Sequence, residues 1–364
     1  MKDDGKKTWE MYCEKELARV EPILHGLGFK LDSEQPHISG ERYLMQAITT
    51  TSGRKLILLG THMHDKKRVV IKASSDKDGV RELEHDRNAR KTLEHIGFAY
   101  QTFFSPQEIL FTKQGEFTIS VQEFIDQQPF LERSDKEQFH LALKAFKAQE
   151  SAHATTYKHR RFIQKTLGEK RAKDYFESFD FFKKGVLKEF PDKKSILNDT
   201  DKFLKDQEEI IEQYCGFLTH TDFVPHNFRI LEDTIHLLDH SSIRFGNKYE
   251  GWARFINFMA LYNPQLASWL VQYVKDNRTP EESFSLKAMR VYRLAEIMYY
   301  YTTTLPKTSG NLHELNMDRI ELWSQVLAAV LADRAIPETT LETYKTKRDA
   351  LRSKDEKKRQ QGLH

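Results

Sequence analysis

The chain has 364 residues, and an apolar share of 39% with 24 Phe is enough for a sizeable core. Lys plus Arg (57) nearly balances Asp plus Glu (54), so a net charge of +3 argues against a nucleic-acid binder. No window approaches about 18 consecutive apolar residues, the start MKDDGKKTWE is not a secretory signal, and Cys13 and Cys215 are too few for a disulfide framework, so a cytoplasmic protein without membrane or nucleic-acid partners is expected.

Along the chain, Met11, Leu17, Val20, Ile23, Leu24 and Leu27 recur at helical spacing and predict a helix over Trp9–Leu27. Three short runs rich in Ile, Val and Leu follow, Tyr43–Ile48, Lys55–Leu59 and Arg68–Ala73, and read as a strand meander. Val80, Leu83, Ala89, Leu93 and Ile96 form a thin apolar stripe that predicts a helix over Asp78–Ile96. Glu108–Thr112 and Phe117–Phe124 flank the turn KQGE and read as two more strands.

After Asp126 helical periodicity dominates, over Asp135–Ala154, Arg160–Phe190 and Asp199–Tyr214. One hairpin interrupts it, Phe228–Leu231 with Ile235–Leu238 around Glu232, Asp233 and Thr234, before helices resume at Tyr249. The join near Gln122–Gln128 reads as a hinge. The stretch 345–364 has a basic excess and few apolar residues and reads as a frayed helix end or tail.

The chemistry is concentrated in HTDFVPHNFRILEDTIHLLDHSS. Asp222 and Asn227 precede the first hairpin strand and Asp239 ends the second, an H-x-D-x-x-x-x-N loop followed by a strand-borne Asp. In-line phosphoryl transfer needs a base carboxylate and metal-binding oxygens that converge, and one hairpin brings the three together. Each aspartate alone could merely cap a turn or end a strand. In the first half, RVVIKAS offers Lys72 on a strand, and the next helix offers Glu82, Glu84 and Asp86. Positions 82 and 86 share a face and 84 points away from them. TTTSGR, containing Ser52 and Gly53, sits between strands where backbone N–H groups could meet phosphate, although an ordinary hairpin turn would look the same. No G-x-x-x-x-G-K-[ST] occurs, so a P-loop architecture is not supported.

These motifs resemble the aminoglycoside phosphotransferase and choline kinase group of the protein-kinase-like fold, whose motif is HGDxxxxN, an apolar strand and an IDW-like triplet. The resemblance spans roughly residues 38 to 260. It implies an α+β, two-lobed protein-kinase-like fold: a small antiparallel sheet N-lobe over 1–124, a mostly helical C-lobe over 125–344, and the basic tail 345–364. It further implies Asp222 as catalytic base, His220 bracing the loop, and Asn227 and Asp239 holding Mg²⁺. Lys72 would engage ATP phosphates, with either Glu82 or Asp86 holding that lysine. VQEFID, with Glu123 and Ile125, would receive adenine through backbone groups, or would merely be an edge strand entering a loop. Thr221 stands where the group usually has glycine, and His240 where it usually has an aromatic or hydrophobic residue. The implied activity moves the ATP γ-phosphate to a hydroxyl of a small molecule. A pseudokinase nucleotide-binding module or a protein Ser/Thr kinase are the alternatives, and no A-P-E-like segment follows Asp239 to favour the latter.

Overall fold

The computed structural model describes residues 6–38, 54–96, 104–151, 157–232, 234–354 and 356–357. The first part contains helix α1 (Lys6–Gly26), strands β1 (Phe29–Leu31), β2 (Leu56–His62) and β3 (Arg68–Ser74), helix α2 (Lys77–Ile96), and strands β4 (Glu108–Gln114) and β5 (Phe117–Glu123). The strands form one antiparallel sheet in the order β1-β2-β3-β5-β4. Val69, Ile71 and Ala73 alternate along β3 and pack with Leu56, Leu58, Ile119 and Val121 beneath Val20 and Leu24 of α1. The period of two that buries them turns Lys72 to the other face of the sheet. The expected strand Tyr43–Ile48 lies outside the described residues. Strand β1 was not expected, because three residues are too few for alternation to register.

The second part is mainly helical: α3 (Asp135–Ser151), α4 (Tyr157–Leu167), α5 (Ala172–Glu189), α6 (Lys194–Asp206) and α7 (Glu208–Gln213) precede a block of four short strands. These are β6 (Phe217–His220), β7 (Phe228–Leu231), β8 (Thr234–Leu237) and β9 (Ile243–Gly246). Helices α8 (Glu250–Tyr262), α9 (Pro264–Asn277), α10 (Pro280–Thr304), α11 (Gly310–Leu331) and α12 (Glu338–Leu351) complete it. The single helical stretch expected over 160–190 is two helices. Gly168, at φ +77°, closes α4 with its N–H on Gln164 O, and Arg171 N–H donates to Asp174 at the start of α5. Likewise, the stretch over 199–214 divides at Gln207. At the other end, Leu341 and Tyr344 anchor α12 in the core, so residues 345–351 of the expected tail are helix.

Aromatic side chains make the floor of the helical part. Phe146 stacks on Trp252 at 4.0 Å, Phe223 on Phe228 at 5.0 Å, and Phe130 and Phe255 meet these edge-on. Phe223 and Phe228 bracket the loop that carries Asp222 and Asn227, so burial of the two rings fixes the loop they flank. Helix α2 belongs to both parts: Ala89, Leu93 and Ile96 join the core of the helical part, while its first turns lie along β3.

Candidate active site

Two strand pairs bring the polar residues together. In the β7–β8 hairpin Phe228 faces Leu237, and one step outward Leu238 N–H donates to Asn227 O at 3.0 Å, which sets Asn227 beside Asp239. The β6–β9 pair sets His220 opposite Ile243, and Thr221 N–H donates to Ser242 O at 2.8 Å, which draws Asp222 toward the same point. Gly251 of α8 lets that helix lie directly on β6, since a Cβ there would sit 2.9 Å from His220 O.

Each carboxylate is then oriented by donors. Asp222 Oδ2 accepts from Asn227 Nδ2 at 2.8 Å, and its Oδ1 accepts from Arg254 Nε of α8 at 2.8 Å. Burial alone would raise its pKa, but Arg254, with His226 and Arg293 beyond, holds the carboxyl well below the usual range. Asp239 accepts from Ser241 Oγ at 2.5 Å and Ser242 Oγ at 2.8 Å. Burial pushes it up too, yet the charges of His220 and Lys72 and the Ser241 bond hold it lower, at about 2. Both are therefore anions at neutral pH. His220 is fully buried against Phe223, its ring nitrogens find no hydrogen-bond partner among the described residues, and burial lowers its pKa.

The sheet reaches this centre through Lys72. Its Nζ donates to Leu238 O at 3.2 Å, next to Asp239, and lies 3.6 Å from Asp86 Oδ2. The other oxygen of Asp86 accepts the backbone N–H of His240 at 2.8 Å. Asp86 is thus a buried bridge between the strand lysine and the end of the hairpin, held ionised by Lys72 against its burial. Glu82, one turn earlier, bonds Lys55, just before β2, instead, so geometry pairs Lys72 with Asp86. Burial raises the Glu82 carboxyl, and Asp239 adds to the rise. His240 continues the join between the parts: its Nε2 lies 2.9 Å from Ser105 Oγ, and burial depresses its pKa to about 4.

At the connection between the two parts, Glu123 N–H already donates to Gln107 O, Glu123 Oε1 accepts from Gln107 N, and Phe124 N–H donates to Arg68 O. No hydrogen bond to another described residue engages the backbone of buried Ile125. Of the two residues expected at the adenine, Glu123 thus has its N–H spent inside the chain. Ser52 and Gly53 lie outside the described residues. For a metal, the Asn227 amide turns its nitrogen to Asp222 and so its oxygen away, and Asp239 adds an ionised carboxylate. Such hard oxygen donors suit Mg²⁺, which takes few protein ligands and completes its shell with water and phosphate. No cluster of three or more His, Cys, Asp or Glu suited to a metal occurs among the described residues.

Solved structures share this arrangement of parts. An amicoumacin kinase in complex with AMP-PNP, Ca²⁺ and Ami superposes with TM-score 0.54 at 10% identity, covering 92% of this chain and 96% of that one. A macrolide 2′-phosphotransferase from Brachybacterium faecium gives 0.53 at 13% identity, covering 87% and 98%. A thermostable mutant of an aminoglycoside phosphotransferase in ternary complex with ADP and hygromycin B gives 0.50 at 14%, covering 86% and 98%. The fold is that of the aminoglycoside phosphotransferases. No family model and no curated protein matches by sequence, so structure alone carries the likeness.

Within the aminoglycoside phosphotransferase fold, the two departures from the sequence motif are accommodated locally. Thr221 adds a hydroxyl bond to Ser242 O at 3.0 Å, and His240 packs inward onto Ser105. Sequence reading missed Arg254, Ser241 and Ser242. The serines lie two and three residues after Asp239 and were legible as carboxylate donors. Arg254 carried no comparable signal, since its approach to Asp222 is made by α8 packing on β6 across 32 residues. No helix among the described residues is long and apolar enough to cross a membrane.

Proposed function

We propose that this protein is an ATP-dependent phosphotransferase that moves the γ-phosphate to a hydroxyl of a small molecule, in a cleft between residues 1–124 and 125–344. Lys72 engages the α- and β-phosphates, Asn227 and Asp239 hold Mg²⁺, Ile125 receives the adenine edge, and Asp222 orients the acceptor hydroxyl and takes its proton. Bound Mg²⁺ supplies neutralisation of the phosphate oxygens. Asp86 ties Lys72 to the hairpin, and His220 fills the space behind Asp222 and Asp239. In this reading the protein works in the cytoplasm on a diffusible acceptor.

The observation that supports this reading most is the convergence of Asp222, Asn227 and Asp239 at one point reached by Lys72 from the sheet. Because Asp222 is held strongly acidic, its part is chiefly to aim the hydroxyl, with proton transfer late. Mg²⁺-dependent ATP consumption is the test, over a panel of amino sugars, amino alcohols, sugars and nucleosides. Turnover with at least one acceptor, lost in Asp222→Ala, is expected. Tight Mg²⁺-ATP binding with no transfer to any acceptor would instead favour a nucleotide-binding module, for which the internal pairing of Asp222 with Arg254 is the favouring observation.

A further inference from the structure

Beside Asp222 the site is cationic. Arg254 holds Asp222, and Arg293 of α10 adds its charge to the same carboxylate. Arg293 and Arg244 of β9 share the fully buried Glu250, at 3.5 and 2.5 Å, and Arg293 also meets Glu296 at 2.6 Å. Lys170, fastened to β9 by its N–H on Phe245 O, donates Nζ to Tyr292 Oη at 2.6 Å and lies over the rings of Tyr175 and Tyr292. Four cations, Lys170, Arg244, Arg254 and Arg293, thus share three carboxylates, Asp222, Glu250 and Glu296. Donors of two of these cations are left over. Nε of Arg293, a residue only 8% exposed, and Nε of Arg244 have no hydrogen-bond partner among the described residues. Burial, followed by repulsion from Arg244, pulls the Lys170 ammonium down to about 8. Desolvated cations in excess of their counter-ions are costly, and an anion entering among them offsets that cost.

We propose that the acceptor carries an anionic group, phosphate or carboxylate, held by Lys170, Arg244, Arg254 and Arg293 while its hydroxyl lies at Asp222. This rests on the phosphotransferase reading above and narrows it: a polycationic amino sugar is repelled here. Guanidinium forks suit both phosphate and carboxylate, and Lys170 adds a point charge. The anion also competes for Arg254, which releases Asp222 Oδ1 for the hydroxyl. That hydroxyl oxygen then bonds to the γ-phosphorus as the bond to the β-phosphate oxygen breaks. ADP leaves with the electron pair, and the hydroxyl proton passes through Asp222 to solvent.

Two measurements on the full chain test this separately. With the nucleotide site saturated by Mg²⁺ and AMP-PNP, inorganic phosphate is titrated calorimetrically, with choline as the cationic control. Saturable phosphate binding is expected, weakened about 10-fold or more in Lys170→Met and in Arg254→Met, each checked for a retained thermal transition. Absent binding, or binding that neither folded variant changes, overturns the site. In the second arm, ATP consumption is compared for glucose against glucose 6-phosphate, glycerol against glycerate, and glucosamine. Preference for a charged member in kcat/KM supports the proposal, with the phosphate and carboxylate pairs telling the two anions apart. Preference for glucosamine or the neutral members overturns it and leaves the phosphotransferase reading standing. Phosphate binding that depends on Lys170 with no turnover of any acceptor has the opposite meaning: the anion site stands and the catalytic reading falls.

Discussion

The two ends of the site are built on opposite charge balances. At the sheet end, Lys55 and Lys72 face Glu82, Asp86 and Asp239, an excess of carboxylate that a divalent cation would complete. At the helical end, four cations face Asp222, Glu250 and Glu296, an excess that an anion would complete. Asp222 lies between the two, neutralised by Arg254 from the helical side and bonded to Asn227 from the metal side. Buried charge imbalance is unfavourable in isolation, which is the physical ground for proposing a ligand of opposite sign at each end.

Removing the hinge point of that comparison has the largest expected effect. Asp222→Ala lowers turnover by about 10³-fold with nucleotide binding retained, measured by ATP consumption against ADP titration. An unchanged rate breaks the assignment of Asp222. Next, Asp239→Asn relieves the carboxylate excess at the sheet end. A loss of at least about 100-fold in Mg²⁺ affinity is expected, since even outer-shell partners are worth that much. Nucleotide binding measured without Mg²⁺ is expected to change little, and an equal loss with and without metal would break the contrast.

The two acids of α2 sharpen the sheet end further. Asp86→Ala strands the half-buried Lys72 ammonium and the buried His240 N–H, and is expected to destabilise the fold by about 3 kcal/mol in urea titration. Glu82→Gln breaks only the bond to Lys55 and is expected to cost about 1 kcal/mol or less. Equal costs would remove the distinction drawn between them. The smallest effect is with pH. Asp239 titrates at about 2 in the folded chain, below its ordinary 3.8, so its stabilisation is present above that ordinary value and is lost as pH falls toward 2. Urea midpoints followed down this window are expected to fall more steeply for wild type than for Asp239→Asn.

Much of this was legible from short-range pattern. The alternation in RVVIKAS both predicts β3 and puts Lys72 on the face away from Ile71, because a strand repeats every two residues. The five-residue step from Asp222 to Asn227 and the apolar run before Asp239 locate the hairpin, whose turn is local. Where pattern failed, the partner was distant: β6 and β9 are four residues each and stabilise one another across the whole hairpin, so neither has a periodicity of its own. The boundary between α4 and α5 was lost for a related reason, since both helices are amphipathic and only a short link that begins at the left-handed Gly168 separates them.

By itself, then, the sequence determined the division into a sheet part and a helical part, the loop of Asp222 and Asn227 with its hairpin, and the strand lysine. These rest on composition and on periods of two and 3.6 residues that any window of the chain contains. Tertiary structure alone decided that Lys72 pairs with Asp86 and not Glu82, that Arg254 holds Asp222, and that Lys170, Arg244 and Arg293 gather behind it. Those contacts join residues separated by tens of positions, and a charge acquires a partner only when packing has removed the water that would otherwise have screened it.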